Sequence, residues 1–240
     1  MKTILRSLNA ALLLLVICVG QNSFAGYVNT AFSVGDNLFV NLLQASPNNT
    51  LTTLFQYSTI PNGTTISLWN PASSTFDTRS VYRSGRWSFD LLLNPGTGAK
   101  LTTSTSFINT FAGNLLNRAG NPYNSGDELI PAPLFSGPAG MYLLGDKLPE
   151  ASSGSDIFLN ILGRLPNNGE QIMTLDPVTQ TYQTATYSET VLPGWDLFIT
   201  LGVGQAAFLN VGPVPEPSTI SLALVGGVLL WRQIRRRSRG

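Results

Sequence analysis

The strongest constraint on the fold is a stretch of sequence that recurs in the second half of the chain. Residues 61–71 (PNGTTISLWNP) resemble residues 166–177 (PNNGEQIMTLDP). Four residues recur at an offset of 106 positions: Gly63 and Gly169, Ile66 and Ile172, Pro71 and Pro177, Phe76 and Tyr182. Five more recur at an offset of 108, as a two-residue insertion would explain: Trp87 and Trp195, Leu93 and Leu201, Gly96 and Gly204, Ala99 and Ala207, Leu101 and Leu209. We therefore expect an internal duplication.

Each copy is predicted to consist of short strands joined by turns. In the second copy, Tyr182, Ala185 and Tyr187 alternate imperfectly with Thr and Gln, which favours strand over helix. The predicted hairpin strands are Thr65–Trp69 with Phe76–Tyr82, and Gln171–Leu175 with Thr181–Tyr187. Asn70-Pro71 and Asp176-Pro177 are typical turn starters, because proline fixes φ and the polar side chain accepts a backbone hydrogen bond. Final buried strands are predicted over 87–93 and 195–201. A helix is predicted over 107–118, from the spacing of its apolar residues.

These patterns predict an all-β segment between two terminal sorting segments. The first β-module spans residues 26–118 and the second spans 134–212. Residues 119–133, rich in Gly, Pro, Asn and Ser, form a linker. The sequence leaves open whether the modules lie side by side or form one sandwich.

The N-terminus has the layout of a secretory signal peptide, residues 1–25. Lys2 and Arg6 precede an apolar run over 8–19, and small residues precede a cleavage site after Ala25. An uncleaved anchor is the alternative, but the run is shorter than the roughly 20 residues that cross a bilayer. A lipoprotein signal at Cys18 is disfavoured because Ile17, the residue before it, is not small.

The C-terminus carries a second sorting pattern over residues 214–240. Pro215, Glu216 and Pro217 precede an apolar stretch over 220–231, and a basic end follows that includes Arg235, Arg236 and Arg237. The apolar stretch is predicted to be a single transmembrane helix, with the arginines held on the cytoplasmic side as a stop. It is short for a spanning helix, so snorkelling or local thinning of the bilayer has to compensate. An ordinary anchor with a chance Pro-Glu-Pro is the alternative.

These C-terminal residues resemble the PEP-CTERM family of exported proteins. The resemblance covers 214–240 and implies that an exosortase-type membrane protease cleaves near Pro215–Pro217. It further implies a Gram-negative source, transient anchoring in the inner membrane, and delivery to the cell surface or to a biofilm matrix of exopolysaccharide. Signal peptidase is the partner that the N-terminus implies.

Composition excludes several classes of activity. The chain has no histidine, so a Ser-His-Asp triad or His-ligated zinc is excluded. Cleavage after Ala25 removes its one cysteine. Between Gly26 and Pro213 there are seven basic and twelve acidic residues, a net charge of −5 that argues against a nucleic-acid partner. No cofactor or metal site is expected, since no run of closely spaced acidic residues suits calcium.

Trp87 and Trp195 suggest sugar stacking, but their repeated positions favour a role in the core. Tyr57, Tyr82, Tyr123 and Tyr187 are candidate groove residues without a distinguishing pattern. For catalysis, Asp127 and Glu128 lie in the linker, and Asp90 and Asp196 are not repeat equivalents. We therefore expect a non-enzymatic protein that binds or builds an extracellular matrix. The alternative is a carbohydrate-active enzyme, glycosidase-like, using scattered carboxylates.

Overall fold

The structure, a computed structural model, describes residues 25–116, 138–190 and 194–213. Those residues are mostly β-strand with two short helices, so the all-β prediction is confirmed. The helices are α1 (Leu51–Leu54) and α2 (Ser155–Leu162). The strands are β1 (Ala25–Phe32), β2 (Gly35–Val40), β3 (Thr65–Asn70), β4 (Thr75–Arg83), β5 (Arg86–Trp87), β6 (Gly98–Thr103), β7 (Phe107–Asn114), β8 (Gly140–Gly145), β9 (Ser152–Ser153), β10 (Gln171–Asp176), β11 (Thr181–Ser188), β12 (Gly194–Trp195), β13 (Thr200–Leu201) and β14 (Ala206–Val211).

Ten strands form two five-stranded antiparallel sheets with the same internal order. The first sheet runs β2-β6-β3-β4-β5, and the second runs β8-β14-β10-β11-β12. In both, a short helix lies in sequence between the edge strand and the central strand. Matched residues occupy the same positions: Ile66 and Ile172 on the central strands are both completely buried, as are Leu101 and Leu209 on their neighbours.

The two predicted hairpins are confirmed, together with the turn chemistry that closes them. The Asn70 Oδ1 accepts a hydrogen bond from the Ala72 N–H at 3.0 Å, and the Asp176 Oδ1 accepts one from the Val178 N–H at 2.8 Å. Each loop ends on a residue with positive φ, which allows the chain to reverse. Both proline-containing turns are therefore built in the same way.

A β-bulge in β4 changes how the two copies correspond. Leu68 pairs with Thr78 but the next residue, Trp69, pairs with Phe76, so the register skips Asp77. The β10–β11 pairing has no such break. Beyond the bulge the offset becomes 105, so Tyr82 corresponds to Tyr187. Tyr82 pairs with Trp87 on the neighbouring strand, and Tyr187 pairs with Trp195. The net difference of two residues is as expected, but it arises in two steps: the second half has one residue fewer in the strand and three more in the following loop.

The sheets meet at their β2 and β8 edges through two equivalent contacts. The Val40 N–H donates to the Gly204 carbonyl at 3.0 Å, and the Gly145 N–H donates to the Gly96 carbonyl at 3.2 Å. The approach is close, because a Cβ added to Gly145 would lie 2.6 Å from the Val40 side chain. Glycine is required at this position by space, since its backbone φ is not in the positive region.

One hydrophobic core contains side chains from both sheets. Phe208 of β14 is 3% exposed, and its ring centroid lies 4.7 Å from that of Trp69 and 6.0 Å from that of Phe76. The Trp69 indole N–H also donates to the Met141 carbonyl at 2.8 Å. A second cluster, centred on α2 and including Phe158, lies on the other side of the second sheet. The two sheets are thus joined by apolar packing as well as by backbone contacts.

The helix predicted over 107–118 is wrong. Residues 107–114 form β7, which pairs with β1 along its whole length from Phe32–Phe107 to Ala25–Asn114. Ile108 is 63% exposed while Asn109 and Phe111 are buried, and this distribution does not fit one buried helical face. The N–H groups of β7 find partners in β1, a long-range pairing that the local spacing does not reveal.

The strands predicted over 87–93 and 195–201 are much shorter than expected. β5 ends at Trp87 and β12 ends at Trp195, although Leu93 and Leu201 are buried as predicted. In the first sheet one backbone bond continues beyond Trp87, from the Ser88 N–H to the Val81 carbonyl at 2.9 Å. Serine side chains supply the next bonds: the Val81 N–H donates to Ser88 Oγ at 2.9 Å and the Phe89 N–H donates to Ser80 Oγ at 3.1 Å. Such side-chain bonds compete with strand pairing and end the strand.

Residues 1–24 of the predicted signal peptide, the whole linker over 119–133 and the C-terminal sorting segment lie outside the described residues. Among the residues that are described, no helix is both long and apolar enough to cross a membrane. Ala25, the residue before the predicted cleavage site, is the first residue of β1.

Candidate ligand-binding site

The hairpin of β4 and β5 borders a depression on each side of the first sheet. On one side, a groove of about 240 Å³ lies between this hairpin and the segment around α1, and we call it the α1 groove. Its polar lining side chains are Thr52, Gln56, Ser58, Tyr82 and Arg86. Phe55, Ile60 and Trp87 supply the apolar part of its wall. An aromatic wall with a few hydrogen-bonding groups is typical of small-molecule sites.

Trp87 is a core residue that also contributes to this wall. It is 8% exposed, and its ring lies 5.6 Å from Phe55 and 5.2 Å from Tyr82 between centroids. Trp195, its repeat equivalent, is half-buried and packs against Phe158 and Tyr187. The geometry of Trp87 therefore agrees with the prediction that this ring packs in the core and does not present a free surface for a sugar. Tyr82 is the more accessible ring in the α1 groove.

On the other side of the sheet, three exposed arginines share one face of the hairpin. Arg79 and Arg83 alternate with buried or half-buried residues along β4, and Arg86 of β5 pairs directly opposite Arg83. With Val81 between them, they form what we call the arginine face. It borders a depression of about 380 Å³ that Val81, Arg83, Arg86, Trp87 and Ser88 line. Arg86 and Trp87 thus border both depressions.

The second sheet has no counterpart of the arginine face. With the register set by the bulge, the residues equivalent to Arg79, Arg83 and Arg86 are Thr184, Ser188 and Gly194. The charges of the described residues also differ between the two halves of the chain. Residues 25–116 carry four basic and three acidic side chains, whereas the described residues from 138 to 213 carry two basic and seven acidic ones. Three of the six basic side chains of the described residues therefore lie on one hairpin, while the net charge of those residues is negative.

Asp90 and Asp196, the two aspartates that follow the repeated tryptophans, each accept a backbone hydrogen bond. The Asp90 Oδ1 accepts from the Thr52 N–H at 2.8 Å, and the Asp196 Oδ1 accepts from the Thr186 N–H at 2.7 Å. The two have different partners, as expected for residues that are not repeat equivalents. No aspartate or glutamate lines the α1 groove or the depression at the arginine face. Across the described ranges, no three acidic or thiol side chains group as metal ligands would.

A buried polar cluster in the second half serves the loop after β8. The Asp146 carboxylate is 5% exposed and accepts from the Ser152 hydroxyl, from the Asn160 amide at 2.6 Å and from the Leu148 N–H at 2.9 Å. In the first half the same position is Asn41, which donates to the Leu93 carbonyl at 2.9 Å. A neutral amide holds the equivalent loop of the first half. The hydrogen bonds of Asp146 are therefore explained by their role in positioning the loop after β8, and they do not indicate a ligand site.

The sorting residues Pro215, Glu216, Pro217 and Arg235–Arg237 lie outside the described ranges, as do Tyr123, Asp127 and Glu128. Tyr57 is 64% exposed and lies beside Gln56 of the α1 groove. Comparison of the chain with known protein families, with curated proteins and with solved structures finds no match.

The grouping of the three arginines is not apparent from the sequence, where they only add to the basic total. Only the pairing of β4 with β5 brings Arg86 opposite Arg83. The sequence nevertheless contains one indication of this pairing. Ser84-Gly85, between these two arginines, is a short polar sequence suited to a tight hairpin loop. Both loop residues have positive φ, 50° and 80°.

Proposed function

We propose that this chain is exported and sorted to the cell surface or extracellular matrix of a Gram-negative bacterium. Signal peptidase removes residues 1–25, the apolar helix within 214–240 holds the chain in the inner membrane, and an exosortase-type protease releases it near Pro215–Pro217. The support is in the sequence: a basic start and apolar run at one end, and Pro-Glu-Pro, an apolar stretch and arginines at the other.

Replacing Glu216 by Ala, or deleting Arg235–Arg237, should leave unprocessed protein in the inner membrane, because each change removes one part of the sorting segment. Cell fractionation and immunoblotting measure both location and size. Ser218→Ala, beside the motif, is the matched control and should be processed normally. If the Glu216 variant and the deletion both reach the surface at native size, the exosortase assignment is wrong.

We propose further that the folded segment is a duplicated, sandwich-like β-module protein without enzymatic activity, and that it binds exopolysaccharide of the matrix. The observation that carries this proposal is the α1 groove, which Tyr82 and Trp87 line together with hydroxyl, amide and guanidinium groups and which no carboxylate lines. Aromatic rings contact the apolar faces of sugars, and the polar groups suit their hydroxyls. The shared strand order of the two sheets supports the duplication.

Tyr82→Ala should weaken binding of the processed protein to polysaccharide isolated from the producing matrix by about tenfold, since it removes an aromatic wall worth roughly 1.5 kcal/mol. Tyr187→Ala is a matched control, because Tyr187 lies against Trp195 at 5.4 Å as Tyr82 lies against Trp87 at 5.2 Å. Co-sedimentation measures binding, and a reducing-end assay on the same samples measures hydrolysis.

Equal binding by the two tyrosine variants would exclude the α1 groove as the sugar site. Hydrolysis that disappears on a single Asp→Asn change would replace the proposal by the glycosidase alternative. The matrix polysaccharide is the appropriate probe because the resemblance of the C-terminal segment implies that the protein is delivered to that matrix.

A further inference from the structure

The arginine face is unusual because its charges have no internal partner. Within the described ranges, the guanidinium groups of Arg79, Arg83 and Arg86 make no hydrogen bond, and both ion pairs that occur there, Lys100 with Asp36 and Arg164 with Glu170, involve other residues. The acidic side chains nearest in sequence have other contacts. Asp77 accepts from the Asn70 amide at 2.6 Å, and Asp90 accepts from the Thr52 N–H. The three positive charges are therefore available to a ligand.

The pairing of two arginines also lowers the stability of the protein when no ligand is bound. Arg83 and Arg86 are directly opposite each other on antiparallel strands, where two like charges destabilise a sheet. The loop between them fixes this pairing, because Ser84 and Gly85 both have positive φ. The second sheet forms its equivalent strand pair with Ser188 and Gly194, so the fold does not need arginine at these positions.

We propose that the arginine face binds the acidic groups of a polyanionic polysaccharide, such as one built from uronic acids. Guanidinium groups match carboxylates in geometry and charge and can bind them with two parallel hydrogen bonds. Arg79 and Arg83 are four residues apart on one face of β4, roughly 13 Å along the strand, so together with Arg86 they suit a chain that carries repeated negative charges. The depression of about 380 Å³ lies within the size range of ligand sites, roughly 300–1,000 Å³.

The charge of the rest of the molecule favours this occupant over a nucleic acid. Lys100, the other basic residue of the described first half, is already paired with Asp36 at 3.3 Å. Three free cations are fewer than the six to ten phosphate contacts of a typical DNA-binding protein. The net negative charge of the described second half disfavours contact with a polyanion there and so directs it to the hairpin of the first half. The inference rests on the proposed matrix function and specifies the chemistry of its ligand.

The test compares the processed protein with its Arg83→Gln/Arg86→Gln variant on immobilised polygalacturonate, on neutral dextran and on double-stranded DNA. The expected result is polygalacturonate binding that falls by about tenfold for each arginine removed, and that weakens with added salt. Thr181→Glu/Gln183→Glu on the exposed surface of β11 is the control, since it changes net charge by the same two units and should leave most of the binding intact. The melting temperature of the arginine variant should not fall, because a repulsive pair has been removed.

Each arm of the experiment separates a different explanation. Binding to dextran but not to polygalacturonate overturns the acidic ligand and leaves a saccharide-binding function in place. Binding to neither polymer overturns this inference, and the co-sedimentation assay with matrix polysaccharide then decides the proposed function separately. Tighter, Arg83- and Arg86-dependent binding to DNA would assign the face to nucleic acid. Equal loss in the charge control and the arginine variant would show that net charge alone is responsible.

Discussion

Replacing Arg164 by Met is expected to lower the free energy of unfolding by about 3 kcal/mol at neutral pH. The variant leaves the carboxylate of Glu170, a residue that is 2% exposed, without its cationic partner. In the intact protein the two guanidinium nitrogens of Arg164 donate to the Glu170 carboxylate at 2.5 and 2.8 Å. The backbone N–H groups of Asn167 and Gly212 also donate to it, at 2.7 and 2.8 Å, so the loss should fall at the low end of the range for broken buried pairs.

The deficit of this variant should depend on pH. Burial by itself raises the pKa of Glu170, but the hydrogen bonds from Arg164, Asn167 and Gly212 and the charge of Arg164 outweigh it, so the pKa lies below its usual value. A lowered pKa in the folded state stabilises the protein above the pKa of the unfolded chain, near 4.5, and this stabilisation is lost as the pH falls. Without Arg164, only the two backbone hydrogen bonds oppose the effect of burial, so the pKa of Glu170 should be higher than in the intact protein. The variant's deficit should therefore shrink as the pH falls through the interval between the two pKa values.

Urea denaturation at pH 7 and pH 3.5 measures both effects. The Arg164→Met/Glu170→Gln variant is the control, because it removes both charges while the glutamine oxygen can still accept from the backbone. It should recover most of the stability at pH 7. A deficit that is the same at the two pH values would contradict the role of the buried carboxylate charge.

Phe208→Ala is expected to lower the free energy of unfolding by about 3–5 kcal/mol, since it removes a buried ring and leaves a cavity. The ring of Phe208 belongs to the second sheet, but its nearest aromatic neighbours, Trp69 and Phe76, belong to the first. The loss should therefore affect both sheets in one transition, at a lower denaturant concentration than in the unchanged protein. Tryptophan fluorescence and far-UV circular dichroism should report the same midpoint.

Phe198→Ala is the matched control, because Phe198 is 80% exposed. Its effect should stay within about 0.5 kcal/mol, as for most surface substitutions. Two separate transitions in Phe208→Ala, with the first sheet as stable as before, would show that the contact between the sheets contributes little to stability.

The hairpins at the centre of each sheet were predictable because their signals are local. Alternation identified the strands around Ile66 and Ile172, and the polar residue before each proline identified the turn. The recurrence of the same pattern at an offset of 106 supported both assignments, since each segment could be compared with the other. The edge strands β2 and β8 were not predicted, because their partners β6 and β14 are distant in sequence.

The errors have a common physical origin in pairings between distant residues. Phe107, Ile108 and Phe111 have helical spacing, but their segment pairs with β1, which lies at the opposite end of the first module. The arginine face was missed for a different reason. The β4–β5 loop is predictable from Ser84-Gly85, but Arg86 joins the face of Arg79 and Arg83 only through the pairing of β5 with β4.

The close approach of Gly145 to Val40 has a consequence for the history of the molecule. These two residues are structural equivalents, yet a Cβ at position 145 would lie 2.6 Å from the Val40 side chain. A chain assembled from two copies of its own first half would place valine against valine and could not close this edge. The two halves are therefore complementary at this edge and cannot be exchanged for each other. A residue with a side chain at position 145 would require a smaller residue at position 40, although the two positions are 105 residues apart.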